Sequence, residues 1–243
     1  MKDNFSTQAG QYAKFRPAYP QEMIDFIVAQ VTHKDTALDV ATGNGQVAVQ
    51  LAAYFKQVEA IDISKKQLEN AVKAVNITYS EQPAEKTNFN KAQFDLITVA
   101  QAIHWFDFDA FYTEVRRILK PQGIIAVIGY GLFYSNAETD KVMKHFYENI
   151  TGPYWDPERR YLDENYTTIP FPFKEVDTPQ FTNEFTWSFE QLTGYLETWS
   201  AVQHYIKGHG SNPLDLVRED LRRSWENSDK KVYFPLLLRI GKL

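Results

Sequence analysis

The sequence predicts an open, doubly wound α/β sheet, on two observations. From Thr36 to Ile128, short apolar runs alternate with segments of helical period. The first of those runs ends in a turn holding Gly43 and Gly45 that opens directly into a helix. Strands alternating with helices run parallel, because returning to the same direction takes a crossover long enough to hold a helix, and such crossovers are right-handed.

Each element has its own warrant. Tyr19-Pro20 opens a helix with proline at its first position, where a missing N–H costs nothing, and Met23, Ile24, Ile27, Val28 and Val31 follow at helical spacing. Thr36 to Val40 reads as a short buried strand. Val47, Ala48, Leu51, Ala52 and Phe55 mark the next helix, and Val58 to Ile61 the second strand. Ser64 caps a helix with Leu68, Ala71, Val72 and Val75 on one face. Ile77 to Tyr79 is a short third strand and Phe94 to Val99 a strong fourth. Phe108, Phe111, Tyr112, Val115, Ile118 and Leu119 form one helical face, which Lys120-Pro121-Gln122-Gly123 ends before a fifth strand, Gly123 to Ile128.

After Gly131 the pattern changes. Asn136 to Ile150 looks helical, and Thr151 to Pro179 is irregular, rich in proline and aromatics. Phe181 to Trp187 alternates like a strand. Ser188 and Gln191 form a capping-box pattern ahead of a helix, and Leu214 to Trp225 is another. Val232 to Ile240 is a last apolar strand, in which Pro235 predicts a bulge or a bend.

Composition narrows the function. The 243 residues are 44% hydrophobic, ample for a packed core, and contain no cysteine. Disulfides, cysteine-ligated metals and thiol catalysis are excluded, and a cytoplasmic setting fits. No apolar run approaches the ~18 residues of a membrane span, and Met1 to Gln11 lacks an apolar signal core. A net charge of -5 without a basic run gives no reason to expect nucleic acid. No metal site is expected.

The chemistry concentrates in Leu38-Asp39-Val40-Ala41-Thr42-Gly43-Asn44-Gly45-Gln46, a strand-to-helix junction. Glycine lets such a backbone turn tightly and approach a ligand, and the helix start offers free N–H groups. Asp62 follows at the tip of the second strand, where a carboxylate can accept hydrogen bonds from both hydroxyls of a ribose, with Ile63 placed to lie against an adenine.

Asp39 to Gly45 followed by Asp62 resembles the first two motifs of class I S-adenosylmethionine-dependent methyltransferases. Pro83-Ala84-Glu85 resembles the segment that holds the adenine edge. Phe94 to Trp105 resembles the fourth strand and the loop under the sulfonium, and Leu119 to Gly123 the turn into the fifth strand. Phe5 to Pro20, Tyr195 to Ala201 and Val232 to Lys242 are similar to the trans-aconitate methyltransferase-like branch.

The resemblance implies a mostly parallel seven-stranded sheet with an antiparallel last strand. It further implies one domain over 1–243, an amino-terminal cover over 1–20, and a sixth strand plus helical cap at 131–229. S-adenosyl-L-methionine is the implied cofactor. Asp39, Ala41, Gly43 and Gly45 would hold its methionyl tail, Asp62 and Ile63 its ribose and adenine, and Ala84 and Glu85 the adenine amino group. Gln101 would lie near the tail or the sulfonium, and Tyr12 and Arg16 would close over it, unless Arg16 is a surface residue. Ala41 stands where the family has glycine, which is tolerable if its φ stays negative.

For the acceptor, the branch implies a small carboxylic acid. Tyr134, Tyr154, Trp155, Trp199 and His204 are candidates to line its pocket. His104 is the candidate base, or else a structural residue beneath the loop. Arg159 and Arg160 are either an anion-binding feature or a solvated pair. Two other readings remain at this stage. Gly43 to Ala48 also fits the G-x-G-x-x-A pattern of a nicotinamide-dependent oxidoreductase, and a non-catalytic module could keep the fold.

Overall fold

The computed structural model describes residues 15–243. Its strands are β1 (Thr36–Val40), β2 (Gln57–Asp62), β3 (Ile77–Glu81), β4 (Phe94–Ala100), β5 (Leu119–Tyr130), β6 (Lys174–Val176), β7 (Phe181–Thr186) and β8 (Lys231–Lys242). They form one sheet in the order β3-β2-β1-β4-β5-β8-β6, with β7 also paired to β8. The pairs from β3 to β5 are parallel, and β8 runs antiparallel to β5, β6 and β7.

β6 pairs with Ile240 to Lys242 and β7 with Lys231 to Leu236, so the two lie end to end along one side of β8. The expected sixth strand is therefore divided by Asp177 to Gln180, and the sheet keeps seven positions across.

Strand alternation sorts the core into two layers. Ala37, Val58, Ala60, Leu96, Ala126 and Ile128 face one layer, with helices α1 (Gln21–Ala29) and α2 (Gln46–Ala52) among its cover. Leu38, Val40, Ile61, Ile97, Val99 and Val127 face the other, under the helix Phe108–Ile118. Short α3 (Lys65–Glu69) precedes that helix, here α4. The carboxyl-terminal helices α5 (Ala137–His145), α6 (Arg160–Asp163), α7 (Phe189–Glu197), α8 (Ser200–His209) and α9 (Arg218–Glu226) follow. Trp199, Leu221 and Trp225 join the first layer, whereas Leu162 of α6 joins the second. Among the described residues, no helix is long and apolar enough to cross a membrane.

Several sequence expectations shift. Pro20 is the N-cap of α1, one residue before the helix proper. Ser64 caps α3 as expected, accepting from the Gln67 N–H at 3.3 Å, but the helix ends at Glu69. Val72 and Val75 consequently leave the apolar face and stand exposed. The third strand is longer than its apolar run because its pairing to β2 continues through Glu81. The capping box of Ser188 and Gln191 forms, but α8 is a separate helix that the pattern did not announce.

Pro235 causes no register shift in β8. Tyr233 exchanges both backbone bonds with Tyr134, on the β5 side of β8. Alternation puts the missing donor of Pro235 on that same side, just past Leu236, where the pairing with β5 stops. The proline sits where no partner strand asks for its N–H.

Asp95, buried at the start of β4, secures the amino-terminal end of the sheet. Its Oδ2 accepts from the Thr36 N–H at 2.9 Å and from the Lys120 ammonium at 2.8 Å, joining β1, β4 and β5. Asp95→Ala should lower unfolding free energy by about 2–4 kcal/mol, since it strands a buried N–H and an ion-pair partner. Urea denaturation measures this, with an unchanged midpoint counting against the anchoring role.

Candidate active site

The parallel order reverses between β1 and β4, and ligands in such sheets bind at the carboxyl ends of the strands beside that point. The turn after β1 is shaped by three left-handed residues, Ala41 at φ 53°, Gly43 at 57° and Gly45 at 83°. It is held by hydrogen bonds to β2. The Thr42 N–H donates to the Ile61 carbonyl at 2.9 Å, and the Gly43 N–H donates to Asp62 Oδ2 at 2.9 Å. Asp62 Oδ1 accepts from the Ser64 N–H at 2.8 Å. One carboxylate thus joins the glycine turn to the cap of α3.

Ala41 departs from expectation, because its φ is positive. The left-handed region costs a residue with a Cβ about 1–2 kcal/mol, which glycine avoids. The two glycines also differ. A Cβ on Gly43 would meet no atom within 4 Å, so that position faces open space. A Cβ on Gly45 would come within 2.2 Å of the Tyr79 hydroxyl. Gly45 is needed for its φ and for packing under β3, rather than for approach to a ligand.

Asp39 lies at the floor of an open cavity of about 460 Å³ with Arg16, Ala41, Gly43, Gln101 and Tyr130. Its Oδ1 accepts from the Thr98 hydroxyl at 2.7 Å and its Oδ2 from the Thr42 hydroxyl at 2.5 Å. Burial outweighs these bonds and raises its pKa to about 6. Gln101, at the end of β4, is held at φ 53°. Its Nε2 donates to the Tyr130 carbonyl at 3.0 Å, while its buried Oε1 has no partner. Arg16 donates to the Tyr130 hydroxyl and the Thr198 carbonyl, both at 3.2 Å, and lies over the Tyr195 ring. It is not a surface residue.

The adenosine candidates fall outside this cavity. Ile63 is half-buried, Ala84 is buried, and Glu85 accepts from the Asp107 N–H at 3.4 Å. Tyr12 lies outside the described residues.

A second cavity, about 490 Å³, shares Arg16 and Gln101 with the first and adds His104, Trp155, Arg159 and Trp199 among its walls. Trp155 and Trp199 are therefore brought together as anticipated, their rings 5.4 Å apart. Tyr154 and His204 are not part of this wall. His204 Nδ1 lies 2.9 Å from the Tyr154 carbonyl, and the Tyr154 hydroxyl 2.5 Å from His209, so they fasten the 152–156 segment to α8. Tyr134 is further away, bridged to β8 and stacked on Tyr233 at 5.2 Å.

The two arginines separate. Arg160 turns to its neighbour Tyr161 on the surface, while Arg159 packs against the rings of Tyr147 and Trp155 at 5.3 and 4.7 Å. Sequence reasoning did not find Asp156 or Leu162, which also line this cavity together with Trp105, the last residue of the fourth-strand motif. Asp156 lies between two short helical turns and Leu162 in the four-residue α6, both too short for a period to mark them.

His104 is 5% exposed. Its Nδ1 lies 3.1 Å from the Tyr166 hydroxyl. Burial, aided by the positive charge of Arg159, pushes its pKa down to about 3. The ring is neutral at physiological pH and a poor proton acceptor.

Residues 38–127 match the family model of a methyltransferase domain. A Dictyostelium discoideum protein carrying a methyltransferase name is 34% identical over 249 residues, spanning 99% of this chain and 95% of its own. The chain belongs to the class I S-adenosylmethionine-dependent methyltransferases. A solved structure from Anaeromyxobacter dehalogenans, titled as a type II methyltransferase, is 35% identical. It superposes with a TM-score of 0.86 over 94% of this chain and 98% of that one. A Saccharomyces cerevisiae protein named as an S-adenosylmethionine-dependent methyltransferase is 28% identical, over 94% of this chain and 92% of its own. Membership in this family sets aside the nicotinamide and non-catalytic readings.

Replacing Ala41 with glycine tests the turn. Relief of about 1–2 kcal/mol of left-handed strain exceeds the ~0.5–1 kcal/mol of added chain entropy. Ala41→Gly should therefore raise unfolding free energy by about 0.5 kcal/mol in denaturant titration, and a loss of stability would contradict the strain.

Proposed function

We propose that this methyltransferase acts on a small anionic acceptor, a carboxylic acid, held in the second cavity. The observation that carries the reading is Arg159, fixed among aromatic rings in a cavity joined to the cofactor-side cavity through Arg16 and Gln101. A guanidinium so held suits recognition of a planar carboxylate. The trans-aconitate-like features of the two ends of the sequence favour the same class.

The first cavity fits the methionyl half of S-adenosylmethionine. The Asp39 carboxylate suits an ammonium, Arg16 a carboxylate, and the unpartnered Gln101 Oε1 a positive or polar group. Asp62, Ile63, Ala84 and Glu85 would hold the nucleoside along the tips of β2 and β3 and the segment beyond. When bound, this cofactor supplies an electrophilic methyl carbon and its own leaving group. The protein's task is to aim the acceptor from behind that carbon and keep water out. Residues 131–229 would supply the cover, and most of the expected amino-terminal cover over 1–20 lies outside the described residues.

An ionised carboxylate needs no base, which agrees with the depressed basicity of His104. The expected catalytic role of His104 is therefore replaced by one of contact with the acceptor.

Incubation with methyl-labelled cofactor and panels of small acids, phenols and amines tests the reading. Label should enter acids as base-labile esters, and transfer confined to amines would overturn it. Arg159→Gln should raise the acceptor KM by about ten- to a hundredfold, as for loss of a charge-assisted contact of about 1.5–3 kcal/mol, with cofactor affinity preserved.

Cofactor binding should also depend on pH. Asp39 is raised above the ordinary carboxylate range, to about 6, and only its ionised form attracts an ammonium. Protonation therefore competes as pH falls through that value. Affinity measured by calorimetry should drop about tenfold from pH 7 to pH 5, and Asp39→Asn should remove most of that slope.

A further inference from the structure

We propose that Tyr166 is a positioning residue that fixes the tautomer of His104, so that the ring presents its Nε2–H to the acceptor as a hydrogen-bond donor. The inference deepens the acceptor reading above and rests on it for the nature of the group addressed. Nδ1 of His104 is engaged by the Tyr166 hydroxyl at 3.1 Å, with the two rings 6.0 Å apart and inclined at 33°. A neutral imidazole has one protonated and one bare nitrogen, and a phenol is the better donor of the pair. The phenol donates to Nδ1, the ring proton resides on Nε2, and Nε2 is the nitrogen left for the cavity that His104 lines.

The phenol is held in place from several directions. Tyr166 is completely buried, and its ring occupies the space that a Cβ on Gly129 would fill, 2.6 Å from that position. Asn165 and Tyr166 are both left-handed, at φ 53° and 59°, a strain that persists only where surroundings dictate it. The Tyr166 N–H donates to the Tyr161 carbonyl at 2.7 Å. Its own carbonyl accepts from Arg239 at 2.9 Å, and Arg239 is in turn clamped by Glu175 at 2.7 and 3.0 Å. The backbone is thus tied to β6 and β8 while the hydroxyl reaches the site.

The charged groups around the ring favour this neutral donor. Arg159 and Arg16 line the same cavity and oppose a second ring proton, and Asp156 is the carboxylate among them. Trp105 packs against the imidazole at 4.8 Å. A donor that keeps its proton can hold a carboxylate oxygen without neutralising it, leaving the acceptor nucleophilic.

The test uses the full chain with ¹⁵N-labelled histidine. Long-range proton–nitrogen NMR at pH 7, with the His104 signals identified by their loss in His104→Gln, should show the Nε2–H form. In Tyr166→Phe, which keeps the ring and loses only the hydroxyl, the signals should move to a mixed tautomer population. That variant should raise the acceptor KM about three- to tenfold, as for one hydrogen bond, with kcat changed less. His104→Gln, whose amide reaches the place of Nε2, should keep KM near the parent value, whereas His104→Asn should not. With cofactor saturating, kcat should show no histidine-like fall between pH 8 and pH 6. An Nδ1–H or doubly protonated His104 would overturn the proposal, as would a Tyr166→Phe variant with unchanged tautomer and KM. An intact Nε2–H form with transfer confined to amines would support the tautomer assignment and overturn the anionic-acceptor reading instead.

Discussion

The active-site end of the sheet depends on the hydrogen bonds that the Asp62 carboxylate accepts from the turns beside it. Parallel pairing sets Val40 beside Ile61, so the next residue of β2 arrives beside the turn that leaves β1. One oxygen then takes the Gly43 N–H and the other the Ser64 N–H. Both donors lie in the turns that leave β1 and β2, where no strand partner would satisfy them. The carboxylate joins two strand tips into one surface, on which the open side of Gly43 and the Asp39 floor border one cavity.

Two buried ionisable groups on either side of Gln101 are tuned the same way and to different effect. Asp39 is raised and His104 is lowered, each chiefly because burial disfavours charge. A ligand with an ammonium would restore the charge of Asp39. His104 shares its cavity with Arg16 and Arg159 as well as with the Asp156 carboxylate, and its burial keeps it neutral. The shared residues Arg16 and Gln101 make the two cavities parts of one apparatus.

What the sequence disclosed follows from which constraints are local. The turn from Asp39 to Gly45, Asp62 at its strand tip, the Ser64 cap and the Ser188 capping box are local requirements of backbone geometry, and each is found in place. The left-handed Ala41 was hidden because alanine gives no sign of positive φ. Val72 and Val75 misled because an apolar face continued in sequence after its helix had ended. Of the residues expected to line a pocket, Trp155 and Trp199 border the second cavity, whereas Tyr154 and His204, a few residues away, do not. Around Tyr154 no period says which way a side chain points, and in α8 the period alone does not say which face meets the cavity. Tyr166 was invisible for a related reason, since its link to His104 spans 62 positions and needs Gly129 to make room.

The divided strand along β8 has a bearing on how the protein behaves in crowded solution. A sheet that ends in a long straight border invites a neighbouring molecule to add a strand of its own. Here one border is the five-residue β3, and the other is broken into pieces of three and six residues with Pro179 in the interruption. A stray chain would find no continuous ladder to extend. The interruption that blurs the sixth strand thereby discourages self-association into fibrils.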